Sequence, residues 1–165
     1  MAWQDTMVTM LRVVIDDGGN NPTYSDSRLE EVLVVSASLT QKDVDFASTY
    51  TIGVTDSTID PDPVTGSDYA FINLVTLKAA CLLANSEFKT EANSAISVRD
   101  GSAAIDKRGV AAAKKEWRDN ICNDYERAEK EYKLGNSQAG ASIIGPYNLH
   151  TNLGRSSTQR NRPTR

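Results

Sequence analysis

The sequence predicts a mainly α protein: a small helical bundle with a short strand and a β-hairpin insertion, followed by an extended C-terminal arm. Three observations lead there. Apolar residues recur at three- and four-residue spacing in four separate segments, the signature of helices with one buried face. Gly, Pro, Asn and Asp gather between those segments and interrupt them. Residues 136–165 show no helical period, and a stretch that long without one does not belong to a compact core. The organisation expected is a helical body over 1–135 and a basic arm over 136–165.

Taken in order, the first helix is predicted from Trp3 to Ile15, with Trp3, Met7, Met10, Leu11 and Val14 at helical spacing and Asp5 in the first turn. The run Asp16-Asp17-Gly18-Gly19-Asn20-Asn21-Pro22 stops it. Ser27 with Glu30 has the form of a capping box, and Ser25 is a competing N-cap, for a second helix reaching Leu39 or Gln41. Leu29, Val32, Leu33 and Ala37 form its apolar face. Thr49 to Val54 alternates like a half-buried strand, with Tyr50, Ile52 and Val54 on one side. Thr55 to Ser67, containing Asp60-Pro61-Asp62-Pro63, reads as a loop.

The third helix is predicted from Ser67 or Asp68 to about Thr90. Ile72, Val75, Ala79 and Leu82 line one face and Leu74, Leu77, Cys81 and Phe88 its neighbour, so the stripe is wide and the helix central. Ile96–Arg99 and Ser102–Ile105 flank Asp100-Gly101, a favoured two-residue turn, and predict a hairpin. The fourth helix starts after Asp106 and runs to about Leu134, with Gly135 as its stop. Its stripe is Val110, Ala113, Trp117, Ile121, Tyr125, Ala128 and Tyr132, between largely charged positions, and its last turns are expected to project past the body.

Bulk properties narrow the function. A chain of 165 residues, 39% hydrophobic and 24% charged, suits one soluble globular domain that needs no metal or disulfide to fold. No apolar stretch approaches the roughly 20 residues that a membrane-spanning helix needs, and residues 1–15 lack the basic start of a leader. The protein is therefore expected in the cytosol where it is made, with no membrane partner. Cys81 and Cys122 each lie in a predicted helix without a metal-ligand neighbour and read as buried, reduced thiols. The arm holds Arg155, Arg160, Arg162 and Arg165 and no acid. With a net charge of -4 for the chain, the preceding residues carry -8. Body and arm are thus expected to meet different surfaces, or the arm of one copy the body of another.

Catalytic patterns are missing from the sequence. The single histidine, His150, lies in the polar arm without a partner to orient it. Asp16-Asp17, Asp43 with Asp45, and Asp60 with Asp62 read as solvated turn residues, since the twelve-residue calcium loop with its terminal glutamate is missing. No phosphate-binding glycine loop or nucleophile elbow occurs. The expectation is a protein without catalytic residues, cofactor or metal. In the arm, Ile143, Ile144, Tyr147, Leu149 and Leu153 supply apolar anchors beside the arginines, which favours docking on a protein partner. Binding of DNA by the four arginines is the alternative.

The segment Leu11-Arg12-Val13-Val14-Ile15-Asp16-Asp17, the turn through Tyr24-Ser25-Asp26 and the helix from Leu29 to Ala37 resemble the start of bacteriophage head-tail connector (adaptor) proteins. The later elements follow in the same order: short strand, Pro-rich loop, Ala- and Leu-rich helix, hairpin, charged helix and arm. The resemblance implies a structural virion protein of the neck, assembled as a ring of usually about twelve copies. It implies the portal protein as partner on one side and a neck or tail protein on the other, with double-stranded DNA passing through the channel. It further implies an arm that docks on the portal through Ile143, Ile144, Tyr147, Leu149, Leu153 and Arg155, Arg160, Arg162 and Arg165, loose in the free subunit and ordered on docking. An acidic lumen would repel the phosphate backbone and let DNA slide.

Overall fold

The computed structural model describes residues 3–19, 21–94, 97–100, 103–106 and 108–136. The chain divides into two units, Met1–Glu129 and Lys130–Arg165. The first is mainly helical, as the apolar periodicity predicts.

Helix α1 spans Trp3–Val14 and buries Trp3, Met7, Val8 and Leu11. The chain leaves it through Asp16, whose φ of 57° lies in the left-handed region that Asp tolerates better than most residues. Helix α2 spans Asp26–Asp43. Of the two competing caps, Ser25 prevails: its backbone is extended and its side chain accepts the N–H of Arg28 at 3.3 Å. The β-branched run from Val32 stays helical because Val32, Leu33 and Val34 are all buried, and tertiary burial outweighs the small propensity cost. Ser36 and Thr40 are also buried and donate to the carbonyls one turn back, Val32 and Ser36, which satisfies their hydroxyls inside the helix.

One polar cluster fixes the α1–α2 connection. Arg12 Nη1 donates to Asp17 Oδ2 at 2.9 Å, and Arg12 Nη2 donates to Asp26 Oδ1 at 2.6 Å and to the Tyr24 carbonyl at 2.9 Å. Asp17 in turn accepts the N–H of Thr23 at 2.6 Å and of Tyr24 at 3.2 Å. Burial pushes the Asp17 carboxyl up, but those two N–H groups and the Arg12 guanidinium together hold it below the usual carboxylate range.

The segment expected to be one strand and a loop is a hairpin instead. β1, Thr51–Gly53, pairs antiparallel with β2, Thr58–Asp60, in the register Thr51↔Asp60, Ile52↔Ile59, Gly53↔Thr58. The prolines do not forbid β2, because it ends at Asp60 before the cis Asp60–Pro61 bond and a two-stranded ribbon has only edges. Gly53 is needed at its position: a Cβ there would lie 2.5 Å from Thr58 Oγ1. Tyr50 and Ile59 are buried while Val54 faces solvent, so the predicted one-sided alternation stops before Val54. Tyr50 stacks on Phe71 with ring centroids 3.9 Å apart, and Phe46 meets Phe71 edge-on at 5.1 Å, which fastens the ribbon to the core.

Helix α3, Tyr69–Ser94, is the centre of the packing. Asp68 caps it, accepting the Phe71 N–H at 3.0 Å and the Tyr50 hydroxyl at 2.8 Å. By length and composition α3 is apolar enough to cross a membrane, contrary to the sequence expectation. Its Phe71, Ile72, Leu74, Val75, Ala79, Ala80, Leu83 and Ala84 are buried, with most of them in the cluster shared with α1 and α2, so it serves as a core helix. Each large side chain so buried contributes about 1.5–3 kcal/mol.

After α3 the chain turns back on itself. β3, Ser97–Asp100, pairs antiparallel with β4, Ala103–Asp106. Asp100 is matched with Ala103, so the strand runs one residue farther than the Asp100-Gly101 turn implies, and the connection falls on 101–102. Helix α4 spans Arg108–Asn136, two residues past the predicted end at Leu134, with Gly135 inside its last turn. Ile121 and Tyr125 of its predicted stripe are buried, Trp117 and Ala128 half-buried, and Val110 and Ala113 exposed.

Candidate functional site

The residues to which the sequence points for partner binding, Ile143, Ile144, Tyr147, Leu149, Leu153, Arg155, Arg160, Arg162 and Arg165, lie outside the described residues, as does His150. What can be built from the residues upward is the surface of the first unit.

Among the described residues, two concavities stand out on it. A hollow of about 400 Å³ lies between α2, α3 and the β1–β2 ribbon, floored by Val32, Val35, Leu82 and Leu83, with Val54 at its edge. Arg28 and Glu31 stand on its rim and pair with each other at 3.1 Å. The second, of about 830 Å³, lies between the end of α1, the later turns of α3 and the start of α4. Asp16, Asp17, Glu87 and Glu91 give it an acidic wall, while Tyr24 and Trp117 add aromatic faces.

Most charged groups in these walls have structural work. Asp17 belongs to the Arg12 cluster. Glu87 accepts the Tyr24 hydroxyl at 2.7 Å and forms an ion pair with Lys114, which joins α3 to α4. Burial, followed by the Glu87 carboxylate, holds the Tyr24 phenol well above its ordinary value. Burial and the nearby Glu129 charge push the Tyr125 phenol up to about 12. Both phenols therefore stay protonated at neutral pH, and that of Tyr24 serves as the donor to Glu87.

The acidic pairs noted in the sequence resolve in the same way. Asp62 accepts the N–H of Val64 at 2.8 Å and shapes the turn after β2. Asp43 pairs with Lys78 at 3.5 Å. Among the described residues, no group of three His, Cys, Asp or Glu side chains is placed to hold a metal ion.

The cysteines correct the sequence reading. Cys81 and Cys122 are half-buried and joined by a disulfide, instead of being buried thiols. The signal was present in the hairpin. Cys81 and Cys122 are equidistant in sequence from the 101–102 connection, and a chain that doubles back there brings such positions face to face. Lys78, over the Tyr125 ring at 4.3 Å, obeys the same register, and Glu87 with Lys114 lies close to it. The helices α3 and α4 thus run antiparallel, with the disulfide between the Lys78–Tyr125 contact and the Glu87–Lys114 pair.

Comparison with family models, with curated proteins and with solved structures found no match for this chain.

Proposed function

We propose that this chain is a structural, non-enzymatic subunit of a bacteriophage neck, a head-tail connector that assembles as a ring between the portal protein and the tail or next neck protein. The observation that carries the reading is the Arg12 cluster. The residues through which the sequence resembles connector proteins, Leu11-Arg12, Asp16-Asp17 and Tyr24-Ser25-Asp26, form one geometric unit in which Arg12 contacts Asp17, Tyr24 and Asp26. Three weak sequence signals thereby meet in one place: the side chains of Arg12, Asp17 and Asp26 are joined directly, and Tyr24 is held there by its backbone N–H and carbonyl.

Charge supports the same reading. A body carrying -8 repels the phosphate backbone, so DNA slides through a ring of such bodies instead of adhering. The acid-free arm, with its apolar anchors and four arginines, docks on the portal. Repetition around a ring turns modest contacts into firm attachment through effective concentration. The working location is the virion neck.

The test is truncation after Asn136. The shortened protein is expected to remain folded and soluble and to lose attachment to portal-bearing capsids, whereas undiminished attachment rejects the docking role of the arm. The four arginines favour one other reading, a DNA-binding or packaging accessory protein. That reading requires duplex binding that weakens steeply with salt and vanishes when the arginines are replaced.

A further inference from the structure

We infer that Cys81 and Cys122 form a thiol–disulfide exchange site working as a latch: closed, it fastens α4 to the core helix α3, and open, it frees α4 while α1, α2 and α3 stay folded. The inference stands independently of the neck assignment.

Its first support is the unequal attachment of the two sides of α3. Toward α1 and α2, α3 contributes Phe71 and Val75 to a core in which Met7, Leu11, Leu29 and Leu33 are also fully buried. Toward α4, the seat is thin. Among the described residues of α4 only Ile121 and Tyr125 are buried, and around them lie half-buried Trp117, the Lys114–Glu87 pair and Arg118 over the Phe88 ring at 4.5 Å. The disulfide lies next to Ile121 in the chain, within that seat, and it is the covalent tie across it.

Access and chemistry supply the second support. Both cysteines are half-buried, so a small thiol can reach them, and the chain has two cysteines in all, so no other internal pairing competes. Asn85 Nδ2 lies 3.6 Å from Cys81 Sγ and 3.8 Å from Cys122 Sγ, a donor able to stabilise the thiolate formed as the bond opens. Closing requires a low-molecular-weight disulfide. One cysteine thiolate attacks it and releases one small thiol. The second cysteine thiolate then attacks the mixed disulfide at the protein sulfur and releases the other, so two protein thiols and one small disulfide become one protein disulfide and two small thiols. Opening by a dithiol is the reverse exchange, with the dithiol oxidised to its own disulfide.

The test uses the full chain, oxidised with a small disulfide or reduced with dithiothreitol, and reads backbone hydrogen exchange. Reduction is expected to speed exchange across 117–125 of α4 by about tenfold or more while α1 and α2 keep their protection. Cys122→Ser should show the reduced pattern under both conditions. Equal exchange of α4 in the two states overturns the latch. So does loss of protection throughout α1 and α2, which makes the bond a staple of the whole fold. Alkylation with iodoacetamide adds a direct check: labelling only after reduction is expected, and labelling of both cysteines in the oxidised sample overturns the proposal.

Discussion

Helix α3 has two neighbourhoods, and they are held in different ways. On the side of α1, α2 and the β1–β2 ribbon, large side chains interlock: Phe71 is fully buried between Tyr50 and Phe46, and Leu11, Leu33 and Val75 are likewise out of solvent. On the side of α4, two buried residues, a rim of charges and one disulfide make the attachment. The first neighbourhood draws its stability from area removed from water, which no change of solvent redox state can undo. The second depends on a bond that chemistry can open. A small protein can in this way keep a permanent core and carry one element whose attachment is conditional.

The comparison is broken most forcefully at Phe71. Phe71→Ala removes a ring with partners on two sides and is expected to cost about 3–5 kcal/mol in chemical denaturation. A loss near zero would mean that the ribbon and core are not packed as one.

Arg12→Met sharpens the role of the polar cluster. It leaves the Asp17 carboxylate buried with Thr23 and Tyr24 as its remaining partners, an expected loss of about 2–3 kcal/mol, less than for a fully enclosed pair because Arg12 retains some exposure.

The same cluster sets a pH dependence. The Asp17 carboxyl titrates lower in the folded chain than in the unfolded one. Its contribution is therefore complete above the ordinary carboxylate range and is lost as pH falls through the depressed value, where the unfolded chain binds more protons. Denaturation followed from about pH 6 to about pH 2 should show this loss, and Asp17→Asn, though less stable at neutral pH, should show a flatter profile.

Smaller effects complete the series. Ser25→Ala removes the α2 cap and should cost about 1 kcal/mol, whereas Ser27→Ala, outside the observed cap, should cost less in the same melt. Arg28→Ala breaks only the exposed pair with Glu31 and should change stability by less than about 0.5 kcal/mol.

What could be read beforehand follows the same division. The helices announced themselves because each buries a periodic stripe, and the observed starts of α1 and α3 fall at Trp3 and Tyr69, close to their expected places. The β2 strand stayed hidden because Thr58–Asp60 is three residues long and abuts the prolines that argue against a strand. Ser25 and Ser27 both fit a cap, and sequence alone leaves the choice open because it turns on which of them has the extended backbone, which is Ser25. The disulfide was missed because pairing depends on where the chain reverses. The Asp100-Gly101 motif gave that place within one residue, and the equidistance of Cys81 and Cys122 from it was the unused clue. Of the candidate site, the apolar anchors and arginines of the arm were named from composition, while the acidic groove edged by Tyr24 and Trp117 was not, since its walls come from distant parts of the chain.

The assignment to a phage neck is tested most directly by electron microscopy of the full-length protein mixed with purified portal. A closed ring of subunits seated on one face of the portal is the expected image. Dispersed single copies and bare portals, at protein concentrations well above those of an assembling capsid, would contradict it.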